Sequence, residues 1–248
     1  MNYKFVQYVS SGFFSDFNVI IGCLDFIIKH NITNFNFVWN NVYYQNNNEN
    51  LFHKFFFKTP EYNSYDHELT AISIGATYYQ PFNEREKFIN SNNILAHFNY
   101  FSNPIYIQLK NLCAKADNCL GVHVRGTDHW QHGPLINLDE YFKHIDDKIE
   151  LGIYTKIFLA TDEARYVESF QQRYGDKVII NDNITRSNTS IAIHSSGVDN
   201  KEKLITDVML DAISLAQCEE IIITSSNVSA YTLAINPHIK YTFIDSPH

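Results

Sequence analysis

The 248-residue chain is poor in glycine (9) and proline (6), and these residues are never gathered with serine into a linker. Any domain boundary therefore has to be read from a change of pattern. Positive charge is also scarce. Lys and Arg number 19 against 27 Asp and Glu, a formal charge of −8, and the pI is near 5.7. This balance argues against a general nucleic-acid binder, because affinity for a phosphate backbone needs a basic face. No apolar run reaches the roughly 18 residues of a membrane span. The opening Met1-Asn-Tyr-Lys-Phe-Val-Gln-Tyr-Val9 lacks the charged-then-apolar plan of a signal peptide. A cytoplasmic protein without a membrane span is expected, and the four Asn-x-Ser/Thr sites at Asn31, Asn183, Asn188 and Asn227 then carry little meaning. The four cysteines (Cys23, Cys113, Cys119, Cys218) have no CxxC spacing and sit in apolar segments, as small buried hydrophobes do. There is no HExxH, no DxD and no zinc-type His/Cys spacing, so no metal is expected.

What is present is a substantial core, with 45% hydrophobic and 15% aromatic residues. From about residue 105 onward, short apolar runs alternate with helical periodicity, the pattern of an α/β fold with a parallel sheet. Strands are predicted at 119–124, 156–160, 177–180, 220–224 and 241–244. Helices are predicted at 137–151, with Asn137 as N-cap, and at 163–174 and 201–217. Before residue 100 the pattern supports one βαβ start, with strands at 4–9 and 34–39 and a helical stripe of Phe17, Ile20, Ile21, Leu24, Ile27 and Ile28 between them. Residues 41–100 show no clean period and read as loops and short helices, and a further helix is predicted at 104–115.

Three strand ends collect polar residues. The first is His123-Val-Arg-Gly-Thr-Asp128, where Arg125 offers a planar, permanently charged fork suited to phosphate. Gly126 would let the backbone turn so that the amides of Gly126, Thr127 and Asp128 face the same anion, whereas the plainer reading pairs Arg125 with Asp128. The second is Thr161-Asp-Glu163, either a helix-capping device or a pair of acceptors for a ligand. The third is Thr224-Ser-Ser-Asn227, which offers hydroxyls and helix-start amides to an anion or simply caps the helix. Asp211 borders the buried stripe of the preceding helix and needs a partner there.

In this order the motifs resemble the α-1,6-fucosyltransferases of the Nod-factor and N-glycan-core type, and more distantly the protein O-fucosyltransferases. Gly121-Val-His-Val-Arg-Gly-Thr-Asp128 is similar to that family's His-Val-Arg-Arg-x-Asp, and Leu159-Ala-Thr-Asp-Glu163 to its Ala-Thr-Asp-Asp. His194, the segment 208–216 and Thr224-Ser-Ser-Asn227 complete the likeness, which covers about residues 117–246. The resemblance implies a GT-B fold of two Rossmann-like domains with parallel sheets. Residues 1–104 would form a reduced acceptor-side domain, with the turn at 12–18 facing the cleft, and 105–248 the nucleotide-sugar-binding domain. It further implies inverting, metal-independent transfer from GDP-fucose, with a nucleotide sugar as donor substrate and no cofactor, and the short first half suits a small glycan acceptor better than a large protein surface. Arg125 would hold the β-phosphate, and His123 and Asp128 would orient it or the sugar. Gly126, Thr127, Asp162, His194, Asp211, Ser225 and Ser226 would line the donor pocket.

Two departures stand out. Gly126 occupies the position of the family's second arginine, and no glutamate follows in the loop Asp128-His-Trp-Gln-His-Gly133 to act as base. His132 stands closest to that position and has an imidazole suited to taking a proton, with His129 and Asp16 behind it. A UDP-linked donor such as UDP-xylose, a rhamnose nucleotide, and a relative that binds nucleotide or glycan without catalysis are the alternatives. Oligomeric state is not legible.

Overall fold

A computed structural model describes residues 1–7, 12–39, 51–75, 82–113, 118–127, 135–189, 191, 193 and 200–244. The chain divides into two compact units, Met1–Gln108 and Leu109–His248, each built on its own all-parallel sheet. The fold is α/β of the GT-B type, with two Rossmann-like units. Among the described residues, no helix is long and apolar enough to cross a membrane.

The first unit holds a three-stranded sheet in the order β2-β1-β3, where β1 is Tyr3–Gln7, β2 is Phe35–Trp39 and β3 is His67–Thr70. Helix α1 (Phe13–Lys29) crosses from β1 to β2 and buries Phe13, Phe14, Phe17, Ile20, Ile21, Leu24 and Ile27. The predicted apolar stripe thus forms the helix core face, except for Ile28, which is exposed. Two short helices, α2 (Phe52–Phe55) and α3 (Ala71–Gly75), flank β3 in sequence. Phe17 stacks on Phe56 with ring centroids 5.4 Å apart, and Phe5 on Phe37 at 5.1 Å. These aromatics supply the apolar area that a small sheet cannot.

The described residues between 51 and 100 are more regular than their sequence. They contain strand β3 and a 13-residue helix, α4 (Arg85–His97). Helix α4 buries only Phe88, Ser91, Ile94 and Leu95 along an otherwise polar length, so its helical period is faint. Strand β3 (His-Glu-Leu-Thr) is mostly exposed, and its pairing with β1 is a backbone matter that side-chain alternation does not report. Helix α5 (Pro104–Leu112) follows, with Asn103 Oδ1 accepting from the amides of Ile105 and Tyr106 at 2.8 and 3.2 Å.

The second unit carries five strands in the order β6-β5-β4-β7-β8: β4 is Cys119–Val124, β5 is Lys156–Thr161, β6 is Val178–Ile179, β7 is Glu220–Ile223 and β8 is Lys240–Phe243. All match predicted strands within a few residues. Helices α6 (Leu138–Glu150), α7 (Ala164–Tyr174), α8 (Lys201–Leu215) and α9 (Asn227–Ile235) connect them. Asn137 caps α6, its side chain accepting from the amide of Asp139 at 3.1 Å.

Every residue of β4 is buried, as the central strand of a covered parallel sheet requires. Leu120, Val122 and Val124 join Tyr141, Ile145, Ile157, Leu159 and Phe170 in one apolar cluster. On the opposite face Gly121 is where α8 comes close: a Cβ there would lie 3.1 Å from Leu215 Cδ2 and 2.8 Å from Ile221 Cγ2. A larger residue would push that helix off the strand.

The strand order places the functional edge. From β4 the chain winds outward through β5 to β6, then returns along α8 to β7 on the other side of β4 and winds outward again to β8. The winding reverses between β4 and β7. In open α/β sheets the crevice beyond the carboxyl ends of the strands at such a reversal is where ligands bind.

Candidate functional site

Strand β4 leads directly into that crevice. It pairs with β5 so that Val124 lies opposite Thr161, and with β7 so that Val122 lies opposite Ile222. Carrying both registers past the strand ends sets Arg125 level with Asp162 on one side and Ser225 on the other. The three sequence motifs therefore meet at one sheet edge.

The turn after β4 is held by the acids after β5. Arg125 Nη1 donates to Asp162 Oδ2 at 2.7 Å, the Gly126 amide to Asp162 Oδ1 at 2.9 Å, and Thr127 Oγ1 to Asp162 Oδ2 at 2.7 Å. The Thr127 amide donates to Glu163 Oε1, and Glu163 also pairs with Arg165. Thr127 sits at φ 33°, a left-handed conformation that costs a β-branched residue about 1–3 kcal/mol and persists where surrounding bonds enforce it. Here those bonds come from Asp162 and Glu163.

This geometry differs from two sequence expectations. Arg125 pairs with Asp162, and the plainer pairing with Asp128 falls on a residue outside the described ones. The amides of Gly126 and Thr127 face carboxylates rather than an open anion site. Asp162 and Glu163 make no side-chain cap for α7, whose N-cap Glu163 has no such bond. They act as a clamp on the turn. The Arg125 side chain is 25% exposed.

Gly126 now has a steric reason. A Cβ at this position would collide with Glu163 Oε1 and lie 2.6 Å from Glu163 Cδ and 2.8 Å from Tyr166 Cε2. The carboxylate of Glu163, one methylene longer than aspartate, fills the space in which a second arginine would begin.

On the other flank, Ser226 caps α9, its hydroxyl accepting from the Val228 amide at 3.2 Å. Ser225, Ser226 and the first amides of α9 lie at the carboxyl end of β7, where helix-start N–H groups favour an anion. His123, buried in β4, reaches across the reversal point, its Nδ1 3.0 Å from Ser229 Oγ in α9. That bond fixes the start of α9 against the strand that delivers Arg125.

Below this corner lies a buried polar group. Asp211 of α8 is 6% exposed and accepts from Asn181 Nδ2 at 2.8 Å, and the same nitrogen lies 3.3 Å from Ser214 Oγ. Burial pushes the Asp211 carboxyl up to about 7, against the opposing pull of Arg186 and Asn181 and with Asp207 and Asp162 adding to the rise. A buried acid held this far above the ordinary carboxylate range is common at functional sites.

The structure thus brings Arg125, Gly126, Thr127 and Asp162 into direct contact and sets Ser225, Ser226 and His123 at the same edge, with Asp211 electrostatically linked to Asp162. Asp128, His132 and His194 lie outside the described residues, as does His129. Asp16, the base candidate of the first unit, is fully buried, accepting from Gln7 Nε2 at 3.0 Å and from Trp39 Nε1. Sequence reading missed the clamp role of Glu163, and missed Ser229, Asn181 and Arg186 altogether. Asn181 was findable, since it closely follows a predicted strand at the same carboxyl edge. Among the described residues, no group of three or more His, Cys, Asp or Glu could hold a metal ion.

No protein-family model and no curated protein sequence matches the chain. Among solved structures it is similar to NodZ α-1,6-fucosyltransferase soaked with GDP-fucose, at 16% identity and TM-score 0.55, covering 94% of this chain and 93% of that one. It is also similar to fucosyltransferase NodZ from Bradyrhizobium, at 15% identity and TM-score 0.52, covering 94% and 92%. POFUT1 in its apo form gives TM-score 0.58 at 10% identity, covering 98% and 97%. At these identities the likeness is one of fold, and it extends over both units: the chain has the two-sheet architecture of these fucosyltransferases.

Proposed function

We propose that the chain is a glycosyltransferase that moves fucose from GDP-fucose to a glycan hydroxyl, with inversion at the anomeric carbon and without a metal ion. The observation that carries this reading is the Asp162 clamp, which holds Arg125 at the carboxyl edge of the second sheet where the strand order reverses. A nucleoside diphosphate seated there meets a guanidinium on one side and the start of α9 on the other. As the bond from the anomeric carbon to the β-phosphate oxygen breaks, charge builds on the diphosphate. A pre-set arginine stabilises that charge without having to reorganise.

In this reading Asp162 is a positioning residue, because its oxygens already accept from Arg125, Gly126 and Thr127. Asp211 and Asn181 face the base or ribose, and His123 steadies α9 through Ser229. The acceptor hydroxyl attacks opposite the leaving phosphate and gives its proton to a base, for which His132 is the candidate. Similar folds solved with GDP-fucose, NodZ and POFUT1, support the choice of donor.

The test is a transfer assay with GDP-fucose and a panel of oligosaccharides in the presence of EDTA, with the anomeric configuration of the product read by NMR. Product of inverted configuration is expected. The rival reading, a non-catalytic relative, draws on Gly126 in place of a second arginine; it predicts GDP binding with no product.

A further inference from the structure

The segment after β6 carries Arg186. Ser187 donates its amide to the Asp162 carbonyl at 2.8 Å and accepts from the Ala164 amide at 3.0 Å, so residues 181–187 run along the carboxyl edge beside the Asp162–Ala164 turn. Arg186 is held in that segment by one bond, Nη1 to the Asn181 carbonyl at 3.1 Å. Its Nε and Nη2 are buried and have no acceptor. Two adjacent orphan donors are unusual, since each unsatisfied buried group costs about 1–3 kcal/mol. Nε–H and one Nη–H of a guanidinium form the parallel fork that binds two acceptors side by side.

Asp211 is close by. Its carboxyl senses the charge of Arg186, yet no ion pair joins the two, and Asn181 touches both residues, donating to Asp211 and accepting from Arg186. The cluster therefore sets two unused donors beside a carboxylate of which Asn181 engages one oxygen. Guanine has the complementary edges: O6 and N7 accept a guanidinium fork, and N1–H and the 2-amino group donate to a carboxylate. Adenine offers a donor where the fork needs an acceptor, and uracil lacks both N7 and the amino group.

Building on the nucleotide reading above, we infer that Arg186 is a specificity residue that reads O6 and N7 of a guanine base, with Asp211 and Asn181 taking its opposite edge. The orphan donors are then completed by the ligand.

The test is calorimetric titration of the whole chain with GDP, 7-deaza-GDP and UDP, for the parent and for Arg186→Met. The parent is expected to bind GDP about tenfold or more tighter than either of the others, the usual worth of one bidentate base contact. Arg186→Met should lose about tenfold for GDP and much less for 7-deaza-GDP and UDP. Equal affinity of the parent for GDP and 7-deaza-GDP overturns the inference without any variant, so a misfolded Arg186→Met leaves it testable. An unchanged GDP preference in a folded Arg186→Met overturns it as well, and in both cases the nucleotide reading stands. Failure of the parent to bind any nucleoside diphosphate defeats that reading, and this inference with it.

Discussion

Arg125 and Asp162 are joined by a 2.7 Å bond across neighbouring parallel strands, and the same carboxylate also holds Gly126 and Thr127. The arginine is therefore placed by an acid that has little acceptor capacity left for a ligand. Arg125→Ala is expected to weaken GDP binding at least about tenfold, the loss of one charge-assisted contact. Arg125→Lys should not restore it, because an ammonium cannot bond Asp162 and a phosphate with the same planar fork. Asp162→Asn should cost nearly as much, since an amide NH2 group would face the donors of Arg125 or Thr127. Calorimetry with GDP on the three variants checks this, and Asp162→Asn with parental affinity would show that the clamp does not matter.

Gly126 and Glu163 should behave as a coupled pair. Gly126→Ala is expected to destabilise the fold by about 1–3 kcal/mol, the usual cost of forcing a group into filled space. In a Glu163→Ala background the same change should cost less than about 1 kcal/mol. Urea unfolding of the four chains gives the coupling, and additive effects would contradict the collision seen at Gly126.

Asp211 should make stability fall as pH rises. Its folded carboxyl titrates at about 7, whereas an unfolded aspartate titrates near ~3.9. Between these values the folded chain holds a proton that the unfolded chain has released, so raising pH through the window removes stability. Asp207 and Asp162 reinforce the effect and Arg186 opposes it. Asp211→Asn lacks this slope, so its stability relative to the parent should improve from pH 5 to pH 8, while GDP binding weakens. Denaturant titrations at the two pH values decide it, and a pH-independent difference would refute the assignment.

At the opposite end of the sheet Glu220, 1% exposed, accepts from Lys148 at 2.7 Å, Lys240 at 2.7 Å and Tyr154 at 3.0 Å. Burial alone would raise its carboxyl pKa, but these donors together outweigh it and hold it below the ordinary value. Its contribution is thus present above the unfolded pKa of about 4.3 and is lost as pH falls through the lower folded value. Glu220→Ala should cost about 1–3 kcal/mol, because it leaves Lys148 and the buried Tyr154 hydroxyl without their acceptor. GDP affinity of the folded fraction should not change. Urea unfolding with parallel GDP titration measures both.

The second unit was legible in the sequence because its central strands are buried on both faces and read as mostly apolar runs, as in Cys119–Val124 and Lys156–Thr161. The first was legible only at its βαβ start. Strand β3 is joined by backbone bonds along an exposed length, and α4 buries too few side chains to print a period. At the site, Arg125, Asp162 and Ser225 could be singled out because each ends a strand. Their mutual arrangement could not, since it depends on the register of β4 with β5 and β7. The clamp, which is neither the cap nor the ligand acceptor weighed for these acids, was not legible for the same reason: Glu163 meets Thr127 across 36 positions of sequence. Arg186 had no local signal, because its significance lies in donors left without acceptors once the chain has folded.

The most direct measurement is the thermal midpoint of the parent chain and of Arg125→Ala in EDTA, alone and with saturating GDP, UDP or CDP. Binding to the folded state raises the midpoint by mass action. A strong rise with GDP in the parent, largely lost in Arg125→Ala, is the predicted result; no rise with any of the three would contradict a diphosphate site at the end of β4.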